Sequence, residues 1–178
     1  KTFTSIGPSV GNELKQKALI SIILVVLCIV LFIAYAFRKI SMPVSSWKYG
    51  FTAIFTLGHD VIVTTGAFIL FSIFLGAEAD TLFVVALLTV LGVSVNDTIV
   101  VFDRIRENLE VDLRDKTEKP FDTIVGESVS QTMVRSINTS LTVVVVLLAL
   151  YFFGPVSTKI FALTMTVGMI VGTFSSIF

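Results

Sequence analysis

Five apolar blocks, each close to the length of a bilayer span, constrain this chain more than any other feature of its sequence. A helix of about 20 apolar residues crosses the hydrocarbon core of a membrane. We place the spans at about 18–37, 51–75, 82–102, 137–153 and 160–178. Only 15% of the 178 residues are charged, whereas a soluble domain carries about a quarter. The sequence therefore predicts an all-α, polytopic transmembrane helix bundle that lies in a lipid bilayer.

Charge and cysteine content argue against several other classes of protein. The net charge of zero gives no indication of nucleic-acid binding, and the single cysteine, Cys28, excludes a disulfide framework and a zinc site. We expect no metal and no cofactor. Residues 1–17 are interpreted as the end of a folded domain with a lead-in to the bundle, and Lys1 to Thr4 as the end of a strand. Both termini lack the flanks of a complete membrane protein, so we expect a fragment of a longer one.

Basic residues in the connecting segments predict the orientation of the bundle, because they concentrate on the cytoplasmic side. One set of connections holds nine lysines and arginines, and the opposite set holds four. The nine are Arg38, Lys39, Lys48, Arg104, Arg106, Arg114, Lys116, Lys119 and Arg135, and the four are Lys1, Lys15, Lys17 and Lys159. We therefore expect the N-terminus outside and the C-terminus in the cytoplasm.

The one long connection, 103–134, carries both signs of charge in its first half and is predicted to continue the third helix into the cytoplasm. Lys119 and Pro120 should break that helix. Beyond them, apolar residues recur every three to four positions, which favours an amphipathic helix on the inner membrane surface. A polar linker is the alternative. The charged residues Asp103, Arg104, Arg106 and Glu107 form either a solvated helix face or a docking face for a partner.

Polar or small residues recur at helical spacing in each of the last four spans. Helices in lipid associate through such residues, so we expect the four stripes to meet in a polar seam, with Gly92, Gly168 and Gly172 at close helix contacts. The first span has no stripe and is expected at the edge of the bundle. The stripes are Thr52, Thr56, Asp60 and Thr64; Thr89, Gly92, Asn96 and Asp103; Arg135, Asn138, Thr139 and Thr142; and Thr164, Gly168, Gly172 and Ser176.

Asp97 is the most informative single residue, because it is an ionisable group inside the third span. A carboxylate there costs about 2.5–3.5 kcal/mol on insertion scales and indicates ion or proton handling by default. It lies about 7.5 Å from the inner end of its span. Arg135 enters the next span from the same side, and its long side chain is able to reach Asp97. We predict a proton-coupling pair, with a static salt bridge as the alternative.

Three further polar residues are candidates for supporting roles. Asp60 lies nearer the midplane, and hydrogen bonds from the threonines one turn away would suit a permanently protonated, purely structural carboxyl equally well. His59 is interpreted as a packing residue or as one that makes a hydrogen bond between helices, and Asn96 as a helix–helix hydrogen-bonding residue. An intramembrane aspartyl protease that uses Asp60 and Asp97 is disfavoured, because the sequence before Asp60 lacks the Gly-x-Gly-Asp element of such enzymes. We therefore predict no enzymatic activity.

Five segments together resemble the SecF family, the smaller membrane component of the bacterial SecD–SecF export factor. The longest is NDTIVVFDRIREN at 96–108. The others, in order, are IGPSVG at 6–11, HDVI at 59–62, SQTMVR at 130–135, and YFFGP at 151–155 with LTM at 163–165. The chain departs from the family pattern at Val93 and Val95, where tyrosine and leucine are common, and in the residues that follow Arg135. A SecD half or a drug-efflux relative fits the run at 103–108 less well.

The resemblance implies a resistance-nodulation-division type bundle of six spans, with a periplasmic domain between the first two. This chain would then hold spans two to six: residues 1–17 would end the periplasmic domain, and 18–178 would form the bundle. The family partners SecD and the SecYEG channel, and uses the proton-motive force to promote late export of preproteins across the bacterial inner membrane. Its functional acid and arginine fall on Asp97 and Arg135. A passive scaffold for the translocon is the alternative function.

Overall fold

A computed structural model describes residues 8–36 and 46–177, without some side chains of the first helix and of the start of the second. These residues form five helices and no strand, which confirms the predicted all-α class. The helices are α1 Pro8–Ala36, α2 Ser46–Leu75, α3 Thr81–Asp115, α4 Phe121–Phe153 and α5 Val156–Ile177. The strand end predicted at residues 1–4 lies outside the described residues.

Local sequence determines where α2 and α3 end and where α3 and α4 begin. Gly76 follows α2 at a positive φ of 67°, a conformation that glycine adopts without steric cost. Asp80 caps α3 by accepting a hydrogen bond from the Phe83 N–H at 3.0 Å. Lys116 ends α3 in the left-handed conformation, and Pro120 precedes α4. The break predicted at Lys119 and Pro120 is therefore confirmed.

Many large apolar side chains lie on the outside of the bundle and several polar side chains are buried inside it, which is unusual for a soluble protein. Phenylalanines 51, 55, 74 and 153 are exposed, whereas several threonines, serines and two aspartates are buried. Four segments are long and apolar enough to cross a membrane: Lys48–Leu75, Thr81–Asp115, Phe121–Phe153 and Val156–Ile177. The described apolar stretch of α1, Gln16–Phe32, is shorter. This pattern is that of a multi-pass membrane protein.

Helix α5 lies at the centre of the bundle and packs against α2, α3 and α4, while α1 lies at the edge against α2 and α3. Glycine lets α5 approach α3 closely. A Cβ atom at Gly168 would lie 2.3 Å from Cγ2 of Val90, and one at Gly172 would lie 3.2 Å from Cβ of Ser94. Gly92 on α3 faces outward with no atom near its Cβ position, so it does not make the helix contact expected of it.

Helix α4 runs without interruption from Phe121 to Phe153, so the separate amphipathic helix predicted on the membrane surface is wrong. Three of the apolar residues that suggested it, Ile124, Val125 and Val129, pack in a cluster with residues of α3. Ile124 is buried beside Ile105 and Leu109 of α3. At about 1.5 Å per residue, the 35 residues of α3 reach well beyond the 30 Å of a hydrocarbon core. The ends of α3 and α4 therefore form a helical hairpin outside the membrane, as predicted for α3.

The turn of this hairpin is organised by Asp112, which lies beyond the membrane-spanning part of α3. Its carboxylate accepts hydrogen bonds from the Thr117 hydroxyl and, at 3.1 Å, from the Lys119 N–H. These hydrogen bonds, the Thr117 hydroxyl first, hold the pKa of Asp112 below its usual range. The Lys119 ammonium then reaches Glu127 on α4 at 2.9 Å. One exposed carboxylate thus fixes the direction in which the chain returns to the bundle.

We expect the turn to stay ordered at neutral and mildly acidic pH and to loosen only at strongly acidic pH. Because the folded pKa of Asp112 is depressed, its stabilising effect is present above the ordinary aspartate value of about 3.9 and is lost as pH falls through the lowered value. The mobility of a spin label at Glu118→Cys, in a Cys28→Ser background, measures this order. Asp112→Asn should make the label mobile at every pH, and equal mobility in both proteins would contradict the assignment.

Candidate functional site

The functional candidates lie where α2, α3 and α5 meet, near the centre of the bundle. We call this group the polar seam and define it by Asp60, Ser94, Asp97, Thr98 and Ser175. Asp60 is 0% exposed and Asp97 is 6% exposed, although both carry an ionisable carboxyl. A buried carboxyl is stable only when its oxygens are hydrogen-bonded or its charge is balanced. The partners of the two acids therefore indicate what each can do.

Asp60 is satisfied by residues from all three helices of the seam. The Ser94 hydroxyl of α3 donates to Oδ2, and the Ser175 hydroxyl of α5 donates to Oδ1 at 2.6 Å. Nδ1 of His59 lies 3.2 Å from Oδ1, so His59 interacts with its neighbour in α2 and does not make the predicted hydrogen bond between helices. The expected partners, Thr56 and Thr64, play no part. The Thr56 hydroxyl donates to a carbonyl of its own helix, and the Thr64 hydroxyl is buried without a hydrogen-bond partner.

The carboxyl of Asp97 has a less complete set of partners than that of Asp60. It lies close to the Ser136 hydroxyl of α4, but the geometry falls short of a hydrogen bond, and Ser136 is left without a partner. On its other side, a narrow gap between Asp97, Ser94 and Gly172 is too small to hold a water molecule. Asp97 is therefore a buried acid with an unused donor beside it.

Arg135 is attracted electrostatically to Asp97, but its guanidinium forms no ion pair with any described residue. It is exposed and lines a cleft of about 300 Å³ at the charged end of the bundle, together with Asp103 and Glu107. The direct contact anticipated between Asp97 and Arg135 is thus absent in this conformation. The two groups nevertheless lie on adjacent helices, with Ser136 next to Arg135 in the chain and near Asp97 in space.

The charged run at the end of α3 makes a specific contact with α4. Nε of Arg104 donates to the amide oxygen of Gln131 at 2.6 Å. The Asn108 amide donates to the same oxygen at 3.0 Å and to the Ser128 hydroxyl at 2.8 Å. The remaining charged residues form bridges within α3, such as Arg106 with Glu110 at 3.4 Å. Part of this run therefore holds α3 and α4 together through hydrogen bonds. Neither predicted role, a solvated helix face or a docking face for a partner, included this.

Two of the four predicted polar stripes face the wrong way. On α3, Thr89, Gly92, Asn96 and Asp103 are exposed, and on α4, Arg135, Asn138, Thr139 and Thr142 are exposed. The buried polar residues are Ser94, Asp97 and Thr98 on α3, and Ser128, Thr132, Ser136 and Ser140 on α4. Asn96 therefore makes no bond between helices of the described chain. On α2 and α5, most of the expected residues do face the interior.

The missed polar residues of α3 had a signal in the sequence. Ser94 precedes Asp97 by three residues, and Thr98 follows Ser94 by four. Residues three or four apart share a helix face, so an inward acid implies that its own face is the buried one. Among the described residues no group of three metal-ligating side chains comes together. The seam contains two carboxyls and several hydroxyls, which are groups that can bind a proton.

Comparison with known proteins places this arrangement in a family. The family model for the C-terminal part of the protein export membrane proteins SecD and SecF matches residues 1–178. The chain is 52% identical to the SecF protein translocase subunit of Thermobaculum terrenum over 176 residues, which cover 99% of this chain and 53% of that protein. It is 39% identical to the SecF subunit of Synechocystis over 174 residues, which cover 98% of this chain and 51% of that protein.

A solved structure supports the same assignment. The fold is similar to a crystal structure of SecDF in a super-membrane-facing form, with a TM-score of 0.76 and 36% sequence identity over 97% of this chain and 21% of that one. The chain spans about half the length of the SecF subunits that it matches. Since the match extends from the first residue to the last, this chain belongs to the SecD/SecF C-terminal family of protein export membrane proteins.

Proposed function

We propose that this chain is the transmembrane bundle of a SecF subunit that uses the proton-motive force to promote late protein export. In this proposal the bundle acts with SecD and the SecYEG channel on preproteins that are crossing the bacterial inner membrane. The N-terminal residues lie on the periplasmic side, where 1–17 lead from a periplasmic domain into the bundle, with 8–17 as the start of α1. The hairpin formed by the ends of α3 and α4 and the C-terminus lie in the cytoplasm.

The observation that carries the proposal is the position of Asp97 relative to Arg135 and Ser136. An ionised Asp97 attracts the guanidinium, and the nearby Ser136 hydroxyl supplies a hydrogen bond after a small movement of α4. A protonated Asp97 loses its attraction for Arg135, which then remains in the water-accessible cleft. The two protonation states therefore favour different arrangements of α3 and α4, which is what a proton-driven conformational change requires.

The available energy is sufficient for such a change. Moving one charge through the membrane potential releases about 2.3 kcal/mol per 100 mV. Since every 1.4 kcal/mol changes an equilibrium about tenfold, one proton shifts a two-state equilibrium by a factor of several tens. The cleft that contains Arg135 opens at the charged end of the bundle. In this proposal a proton released from Asp97 leaves on the cytoplasmic side through this cleft, after the movement of α4 opens Asp97 to it.

A paired neutral substitution separates this proposal from a passive scaffold. Asp97→Asn combined with Arg135→Gln removes both charges together, so it leaves no uncompensated charge to destabilise the fold. If the subunit couples protons to export, the paired variant assembles normally but loses the stimulation of export by the proton-motive force. The rate of late translocation is measured in inner-membrane vesicles with and without a proton gradient. Full stimulation in the paired variant would favour the scaffold.

A further inference from the structure

The proposed function leaves one buried ionisable residue without a role. Asp60 is more completely buried than Asp97, with no exposed surface at all, and burying an ionised carboxylate without compensation is costly. Its surroundings do not resemble those of a packing residue. Three polar side chains from three different positions converge on its two oxygens. This degree of polar convergence in the middle of an apolar bundle points to a group that changes its protonation state.

The hydrogen bonds around Asp60 suit both the ionised and the protonated carboxyl. When Asp60 is ionised, Ser94 and Ser175 both donate to it. When it is protonated, the proton on Oδ1 is accepted by Nδ1 of a neutral His59 or, once that nitrogen carries its own hydrogen, by the Ser175 hydroxyl. The Ser175 hydroxyl lies 2.6 Å from Oδ1 of Asp60 and 3.1 Å from the carbonyl oxygen of Gly172. Rotating that hydroxyl towards Gly172 lets Asp60 donate to Ser175, so no buried polar atom is left unsatisfied in either state.

The titratable and charged groups near the seam are few. The Ser175 hydroxyl lies 2.6 Å from Oδ1 of Asp60, the distance of a hydrogen bond. The other titratable or charged side chains around the seam are His59 on α2, Asp97 on α3 and Arg135 on α4. The part of α5 that contacts the seam has no ionisable residue, and the α1 residues near Leu57 and Val61 are apolar.

His59 lies between this site and the outer face of the described chain. An ionisable residue at this depth faces a partner helix or a water-filled cavity rather than lipid, and a proton that enters through His59 requires such a neighbour. Nδ1 of its ring lies 3.2 Å from Oδ1 of Asp60, while 44% of the His59 side chain is exposed and the Asp60 side chain is fully buried. Histidine exchanges protons near neutral pH. An imidazolium at this position is able to pass its Nδ1 proton to Oδ1, which leaves a neutral ring and a neutral carboxyl. The reverse transfer restores the ion pair, so charge and protons balance in both directions.

We propose that Asp60 is a second proton-binding site of this bundle, which is loaded through His59 and linked to α3 and α5 by the hydroxyls of Ser94 and Ser175. Proton uptake reverses the direction of the Ser175 hydrogen bond and so changes how α5 is held against α2. This proposal goes beyond the proposed function, because proton binding at Asp60 requires neither Asp97 nor protein export. The site is separate from the cleft that contains Arg135.

Infrared spectroscopy of the full-length protein, with its partner subunit in lipid vesicles, tests the site directly. A protonated carboxyl has a C=O stretch that is resolved from the amide bands and shifts in deuterated water. We expect one such band to appear and disappear reversibly as pH is titrated, and to be absent in Asp60→Asn. Asp122→Asn, which removes an exposed carboxyl of α4, is the matched control and should retain the band. A band that never appears, or that does not titrate, would overturn the proposal.

Two variants that keep the Asp60 carboxyl allow the test to be made even if Asp60→Asn fails to fold. Ser175→Ala should move the band to higher frequency, because the carboxyl loses a hydrogen bond, whereas Ser157→Ala at an exposed position of the same helix should not move it. His59→Gln should retain the band but slow its appearance after a pH jump by at least about tenfold. An unchanged rate in His59→Gln would refute loading through His59, and an unmoved band in Ser175→Ala would refute the hydroxyl link.

The experiment also separates this site from the proposed function. Asp97→Asn should leave the Asp60 band in place, since the two acids do not share a hydrogen bond. If the Asp60 band is observed but export does not depend on Asp97, the proposed function fails while the proton site stands. If export depends on Asp97 but no band depends on Asp60, the proton site at Asp60 fails while the proposed function stands.

Discussion

Asp97→Asn is expected to remove the part of protein export that depends on the proton-motive force, while the subunit still assembles. Asparagine has nearly the same shape as aspartate and keeps a hydrogen-bonding side chain beside Ser136. It binds no additional proton and carries no charge to attract Arg135. The seam therefore has a single electrostatic state, and the proposed cycle of α3 and α4 has no driving force. We expect the proton-driven stimulation of late translocation to fall by at least about tenfold.

The measurement compares translocation rates in inner-membrane vesicles with and without a proton gradient, at matched amounts of subunit. Glu110→Gln is the control on the same helix, because Glu110 is exposed and pairs only with Arg106 among the described residues. It should leave the stimulation unchanged. Asp97→Glu keeps a titratable group in a gap too narrow to hold water, and should retain only part of the stimulation. Full stimulation in Asp97→Asn would exclude this residue as the coupling carboxyl.

Asp97 could be singled out as a candidate from sequence because its signal is energetic and local. A carboxylate in a membrane span is costly wherever its helix packs, so no knowledge of neighbouring helices is needed to single it out. Which helices surround it is a different kind of question. Ser94, Ser136 and Ser175 are ordinary small residues, and serine occurs both at lipid-facing and at buried positions of membrane helices. Their roles depend on the rotation of three helices about their axes, which one sequence does not determine.

The outward stripes on α3 and α4 show how this ambiguity misleads. Asn96 and Asp97 are adjacent, so they lie about 100° apart around the helix axis and cannot both face the centre. The helix face of Asn96 includes Thr89 and Gly92, whereas the face of Asp97 includes Ser94 and Thr98. Similarly, the apolar period after Pro120 correctly predicted a helix with one apolar face. It did not reveal whether lipid or α3 covers that face, because both are apolar.

Gly168→Ala is expected to destabilise the bundle more than alanine at Gly172 or Gly92. The new Cβ would lie 2.3 Å and 2.9 Å from the two methyl carbons of Val90, and 3.2 Å from the Thr64 hydroxyl. Valine in a helix has one strongly preferred rotamer, so its methyls cannot rotate away, and α5 must move from α3. Overpacking of this kind costs about 1–3 kcal/mol. Unfolding of the purified subunit in mixed detergent micelles measures the change.

Two further alanine variants test whether the loss of stability depends on the distance from the new Cβ to its nearest neighbour. At Gly172 the nearest atom to the new Cβ is Cβ of Ser94 at 3.2 Å, so a small shift suffices and the loss of stability should be smaller. At Gly92 nothing lies within 4 Å, and alanine favours the helix more than glycine, so stability should be unchanged or slightly higher. A loss at Gly92 equal to that at Gly168 would contradict the packing described for α3 and α5.

The steric cause at Gly168 is isolated by adding Val90→Ala, which removes the methyls that the new Cβ meets. Val90→Ala alone leaves a space beside Gly168 and should destabilise the bundle. The double variant places one methyl group where two were removed, so it should be more stable than the sum of the two single changes predicts. The same movement of α5 should also separate Ser175 from Asp60 in Gly168→Ala. If the double variant recovers both its stability and the hydrogen bond between Ser175 and Asp60, the contact between Gly168 and Val90 sets the geometry of the proposed proton site. Strictly additive losses of stability would show that this contact does not.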